Sequence, residues 1–359
     1  MSAEENGSYA ADASSSEHRR DALQLGPRRK ARTTDPLVHH GRHFGRSIHA
    51  LCNMHALINN GIIRIGERAE DPEEDFTFQE QREHKVFCAL LKSVPGLEEK
   101  LMGANSEEDI QSIAAMLQKG ASSARSDDTK SLKSAIIDWI VPPGEPLMPP
   151  IARNAKTGRG FHHQVTGALL CPAGLDWADA EIKDKLRTGE LSVPGDQWPV
   201  FLFSSYAYDD KDPSKGLLRS SILVKTFKHI FTSPSSVERE AKATRSGNAR
   251  IHGMTGVTKG SIAYIATQAR FALSSSCVFN QNDTVTDSER FYNSILEYLE
   301  DPDEADDVNH LMIWWNRQVF PNYIPNSRPV SKNSALARIK AKRAVAKQAA
   351  LGNIDINTS

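Results

Sequence analysis

The residues best placed to do chemistry lie between Lys242 and His252, in the run Lys242-Ala243-Thr244-Arg245-Ser246-Gly247-Asn248-Ala249-Arg250-Ile251-His252. Ser246-Gly247-Asn248 is strong turn chemistry, because glycine and asparagine both tolerate positive φ. Lys242, Arg245, Arg250 and His252 surround that turn, so side chains and backbone N–H groups together could hold an anion. A helix beginning near Thr258-Lys259-Gly260-Ser261 would aim its free N–H groups at the same loop. The plainer reading is a capped surface loop whose arginines pair with Glu238, Glu240 or acids elsewhere.

Two other constellations invite chemistry and carry less of it. His39, His40, His43, His49, Cys52 and His55 crowd one stretch, and His39 with His43 has the i, i+4 spacing of a metal-binding helix face. Gly41 and Gly45 weaken a helix there, and no second ligand pair follows at zinc-finger distance. Structural histidines are the expectation, with no metal site and no cofactor. Asp176, Asp179 and Glu181-Ile182-Lys183 resemble a metal-dependent carboxylate set. That chemistry wants carboxylates on adjacent strands, whereas Asp179 to Arg187 reads as helix. Phe161-His162-His163 and Asp176-Trp177 are the remaining polar-aromatic groups. No spacing identifies a nucleophile with its base, so no catalytic residue can be assigned.

The elements around these residues read as helices. Ile222, Leu223, Phe227, Ile230 and Phe231 recur at near-helical spacing until Pro234, and Ser233-Pro234 is a good restart. Ser235 with Glu238 is a competing capping box. Beyond the loop, Ile262, Ile265, Ala266, Ala269 and Leu273 form one apolar face. Upstream, a helix is expected from Gly45 to the Asn59-Asn60-Gly61 stop. Another follows the Thr77/Glu80 capping box, one runs from Ser106 to Gly120, and one from Asp128 to Ile140 before Pro142-Pro143-Gly144. Downstream, Thr286 with Glu289 caps a helix carrying Phe291, Ile295, Leu296 and Leu299, and Trp314-Trp315 reads as core.

The strings FTSPSSVERE, KATRSGNARIHGM, IAYIATQARFALSSS and TVTDSERFYNSILE resemble an uncharacterised family, a domain of unknown function, from mushroom-forming fungi. HALCNMHALINNGIIR, ARSDDTKSLKSAIIDWI, TGALLCPAGLDW and GDQWPVFLF resemble the same family, so the likeness spans roughly residues 45–329. The resemblance implies a fungal, intracellular protein and brings no activity, cofactor or catalytic residue with it.

Composition bounds the remaining choices. The 359 residues are 39% hydrophobic and 25% charged, with a net charge of −1. That balance argues against a bulk polyanion binder and leaves local patches open. No apolar run approaches the roughly 18 residues needed to cross a bilayer, and the N-terminus lacks the apolar core of a secretory signal. Cys52, Cys88, Cys171 and Cys277 are scattered and read as reduced, mostly buried thiols.

The expected fold class is mainly α, a multi-helix globular domain with a few short strands or extended segments in the middle and disordered termini. Its expected parts are a basic tail over 1–35, a helical bundle over 36–141, a mixed and mainly helical part over 142–330 packed on it, and a basic tail over 331–359. Pro27-Arg28-Arg29-Lys30-Ala31-Arg32 has the form of a nuclear-import signal, and its alternative is a solubilising tail. Basic ends on a neutral body, with Lys242, Arg245, Ser246, Gly247, Asn248, Arg250 and His252 as anion contacts, point to a non-enzymatic nuclear or nucleic-acid-associated protein. One alternative is an enzyme whose anion-binding cleft uses Arg245, Arg250 and His252. Another is a protein–protein scaffold. No membrane partner is expected.

Overall fold

Glycine is a poor helix former in isolation, yet in this chain it marks where helices touch. The computed structural model describes residues 35–141, 144, 146–237, 247–277, 287–320 and 342–343. The chain divides after Pro36. Of Met1–Pro36 only Asp35 and Pro36 are described, and Leu37–Ser359 forms the other compact unit. That unit is mainly helical, and its only described extended pairings are the isolated bridges Pro172↔Pro199 and Phe203↔Leu217.

Helix α1 spans Pro36–Ser47, with proline at its first position. Helix α2 spans Met54–Ile65, where Asn53 Oδ1 accepts from the His55 and Ala56 N–H groups. Thus the single helix expected over Gly45–Gly61 is two helices with a break at 48–53. Helix α3 (Phe78–Ser93) carries the expected Thr77/Glu80 capping box, and α4 is a short helix over Leu97–Met102. Helix α5 (Glu107–Trp139) is capped by Ser106 and runs unbroken through Gly120, where a stop is expected from sequence.

The reason is packing. A Cβ on Gly41 would overlap the Leu117 carbonyl, and one on Gly120 would overlap the Val38 carbonyl. A Cβ on Gly45 would sit 2.9 Å from the Ala121 methyl. Three glycines therefore let the backbones of α1 and α5 meet directly. Gly61 does the same for the Phe87 ring, so α2 runs past its expected stop. Phe44, Met54, Ile58, Phe87, Leu90 and Leu117 form the core of this region.

A second core surrounds α10. Helices α6 (Gln164–Leu170), α7 (Ala180–Thr188), α8 (Ser221–Phe227) and α9 (Asn248–Ile251) precede it. Helix α10 (Lys259–Leu273) packs against α5, α6, α8 and α11 (Ser288–Glu300), with α12 (Ala305–Val319) beyond. One apolar face is expected for α10, whereas every residue from Gly260 to Ala269 is buried. Ala, Ser, Thr and Gly between its larger side chains let neighbours close in on all sides. Its last carbonyls meet two buried cations. Lys156 Nζ donates to the Phe271 carbonyl (2.5 Å) and Arg159 Nη1 to the Ala272 carbonyl (2.8 Å). These cations fill a helix C-terminus that has no further turn to bond with. Burial pulls Lys156 down to about 7 and Arg159 to about 10. Trp315 is fully buried, and its indole N–H donates to the Leu218 carbonyl (3.0 Å).

Candidate functional site

The loop with the most chemistry in its sequence is described in part. Lys242, Arg245 and Ser246 lie outside the described residues, as do Glu238 and Thr286. The segment from Gly247 onward is anchored hard. Helix α8 continues into a π turn over Lys228–Thr232, ended at Ser233, whose side chain forms a capping box with Ser236. A π turn leaves carbonyls badly matched to i→i+4 donors, and Asn248 Nδ2 donates to one of them, Ile230 O, at 2.5 Å. Gly247 lies against the Thr232 carbonyl, with no space for a Cβ. Gly247 and Asn248 thus fasten the stretch of chain that carries Arg250.

Arg250 itself is exposed, and none of the ion pairs among the described residues uses it. Its neighbour Ile251 is 51% exposed, an unusual amount for isoleucine. His252 behaves differently. Its ring stacks on His39 (centroids 4.2 Å, interplanar 24°) and on His43 (4.3 Å, 8°), so one imidazole from the loop is sandwiched by two from α1. Burial, then His43 and the other nearby cationic groups, push His252 down to about 3. Burial, then Arg46, push His43 down to about 4, and burial with His39 lowers His40. The rings of His43 and His252 are neutral at ordinary pH, which lets them stack without repulsion.

Stacked rings do not converge on an ion, because imidazole lone pairs lie in the ring plane. Among the described residues no group of three or more His, Cys, Asp or Glu side chains is arranged to hold a metal ion. The i, i+4 spacing of His39 and His43 marks a shared face, and that face receives His252. Nothing in the sequence fixes this meeting, since the partner sits more than two hundred residues away.

One helical turn along α1 from His43 is a buried ion pair that sequence reasoning missed. Arg46 donates from Nε and Nη2 to Asp128 Oδ2 and Oδ1, both at 2.7 Å, and Tyr264 OH donates to Asp128 Oδ2 at 2.6 Å. This bidentate pair joins α1, α5 and α10. Burial, reinforced by the Asp128 carboxylate, holds the Tyr264 phenol protonated.

The other sequence candidates resolve into structure. His163 Nδ1 accepts from the Val165 N–H and its Nε2 bonds with the Pro149 carbonyl, so both ring nitrogens are used in capping α6. His162 is exposed. Asp176 accepts from Ala178 N–H and Asp179 from Glu181 N–H, both 2.8 Å, while Glu181 pairs with Lys185. These carboxylates are turn and helix caps. His49 packs edge-on against Tyr292. Of the four free cysteines Cys171 is buried, and burial raises Cys52 to about 12, whereas Cys277 is exposed. Among the described residues no helix is long and apolar enough to cross a membrane.

The family model for a family of unknown function, DUF6698, matches residues 119–320, which holds the loop, α10 and most of the second core. The chain belongs to this family. The match is narrower than the resemblance read over 45–329, leaving α1 to α4 outside it although α1 supplies two rings of the stack. Neither the curated proteins nor the solved structures contain a match.

Proposed function

We propose that this DUF6698 protein is a binding protein without catalytic chemistry, contacting a nucleic acid through the 242–252 segment and the basic ends of the chain. The observation that supports it is Arg250, an exposed guanidinium on an anchored turn with no acidic partner among the described residues. A cation already held in place, without a counter-charge, gives up little further freedom on binding a phosphate. Lys242 and Arg245 precede it in sequence and would extend the same footing. Gly247 and Asn248 serve by fixing the turn, and His252 by docking it to α1. The reading includes a nuclear, intracellular place for a fungal chain, on the strength of the basic segment at 27–32 and the resemblance of the central strings.

The test is fluorescence anisotropy with labelled duplex DNA and single-stranded RNA across a salt series. Binding that weakens steeply with salt is expected, because phosphate contacts release counterions. Arg245→Ala with Arg250→Ala should lower the log–log salt slope by about 2, one for each phosphate that is no longer neutralised. Undetectable binding at low salt, or a slope unchanged in the double variant, overturns the proposal.

A further inference from the structure

A cleft of ≈ 380 Å³ opens between α2, α3 and α11, on a different part of the molecule from Arg250. Its size falls in the ~300–1,000 Å³ span of small-molecule sites. Two enclosed polar atoms in its wall residues, His49 Nδ1 and Arg82 Nη2, have no hydrogen-bond partner among the described residues. Enclosed donors and acceptors are nearly always paired, so two at one cleft call for a ligand or water to complete them.

Both side chains are held in position by other contacts. Arg82 Nε pairs with Glu300 at 3.2 Å, which leaves Nη2 to one side. The His49 ring is fixed against Tyr292, whose hydroxyl accepts from the Ala50 N–H at 3.0 Å. Burial, then the nearby Arg82, push His49 down to about 4, so it offers an uncharged ring.

Charge and hydrogen-bond inventory narrow the ligand. Arg82 is balanced by Glu300, so the carboxylates of Glu83 and Glu289 leave the cleft unfavourable to an anion. Glu83 is occupied by two neutral donors and the Arg82 guanidinium shares the wall, so the cleft has no set of free carboxylates converging on a cation. Glu83 already accepts from Gln79 (2.9 Å) and Asn60 (3.3 Å), while Glu289 and Asn293 have no partner among the described residues. The wall residues therefore include an open donor, Arg82, and an open acceptor, Glu289, and the apolar Leu57 and Val86 line the same cleft. Hydroxyl groups both donate and accept, and a saturated ring presents C–H faces to such a floor.

We infer that this cleft binds an uncharged polyhydroxylated ligand, a mono- or disaccharide, whose hydroxyls accept from Arg82 Nη2 and donate to Glu289. The inference is independent of nucleic-acid binding and uses none of the same residues.

Saturation-transfer NMR on the full chain tests it, with glucose, galactose, mannose, N-acetylglucosamine and maltose as probes, followed by calorimetric titration of any that respond. Glu289→Ala removes the open acceptor. Ala56→Trp closes the mouth from an exposed position of α2, so folding is preserved and is checked by the thermal midpoint. Transfer to at least one sugar, weakened about tenfold or more in both variants and unchanged in Arg250→Ala, is the expected result. No transfer to any of the sugars overturns the inference, as does transfer that persists undiminished in Glu289→Ala and Ala56→Trp. Displacement of a bound sugar by acetate or ammonium at equal concentration also overturns it, since the site would then be selecting charge.

Discussion

Arg46 acts on the histidine stack and Arg250 lies two residues before its central ring in the chain, and they spend their charge in opposite ways. Arg46 is buried and bidentate to Asp128, whose second contact is the Tyr264 hydroxyl. Arg250 is exposed, on a turn fastened through Asn248 and Gly247, with no carboxylate beside it among the described residues. A buried charge must be paired because desolvation is expensive, so Arg46 is committed to Asp128 and to the relative placement of three helices. An exposed charge on a rigid base adds little to folding and keeps its donors open. The contrast separates architecture from recognition, and it can be attacked from either side.

The largest effect is expected at the buried pair. Arg46→Met leaves Asp128 buried without its counter-charge, and Asp128→Leu strands Arg46. Each should lower stability by about 3–5 kcal/mol in urea unfolding. The triple variant Arg46→Met, Asp128→Leu, Tyr264→Phe removes every polar partner together and should recover most of that loss. If the singles are mild, the pair is not the joint described.

Next comes acid. The folded-state values of His43 and His252 lie below the ordinary 6.5, at about 4 and about 3. As pH falls below 6.5 the unfolded chain takes up protons that the folded stack refuses, so stability is complete above 6.5 and is lost progressively on acidification toward those values. His43 alone accounts for at most ~3 kcal/mol, and the more exposed His252 ring for less after solvent screening. The groups acting on these rings are His39, His40 and Arg46, all cationic when charged, and among the described residues no carboxylate opposes them. Unfolding midpoints measured between pH ~7 and ~5 should fall in the parent and fall less in His252→Leu. Equal slopes would mean that the stack does not titrate with folding.

Gly247→Ala sharpens the comparison from the other side. The backbone there has φ −70°, which any residue adopts, so the objection to alanine is space alone. Its methyl would meet the Thr232 carbonyl, and relief requires the turn to lift from the π segment. A loss of about 1–3 kcal/mol is expected in thermal unfolding. Nucleic-acid affinity should weaken with it, because a loosened Arg250 must be ordered on binding.

Several helices are legible in the sequence from their caps. Thr77 with Glu80, Ser106, Ser233-Pro234 and Thr258 all start helices as read. The sequence misleads at Gly41, Gly45, Gly61 and Gly120, because a glycine that ends a helix and a glycine that admits another helix look alike along the chain. Helix α10, buried on every side from Gly260 to Ala269, reads as one-faced for a related reason. Its alanines and threonines look neutral until the neighbours that close on them are known. At the site, turn chemistry at Gly247 and Asn248 is readable, whereas the partners of Arg46 and His252 lie 82 residues away for the first and on a distant helix for the second. Spacing carries no information across such gaps.

The smallest effect on stability is expected at Arg250→Ala, and its smallness is the point. An exposed side chain with no pair among the described residues contributes within about ±0.5 kcal/mol, so the unfolding midpoint should not move. Its effect should instead appear in the salt dependence of nucleic-acid binding, with a log–log slope lower by about 1. Arg46→Met should show the reverse pattern, a large loss of stability with the slope intact once folding is restored by the triple replacement. If Arg250→Ala destabilises the fold as a buried arginine would, then the guanidinium is structural and the distinction between the two arginines fails. A slope that stays level while stability also stays level would leave Arg250 as ordinary surface and place the anion contact elsewhere.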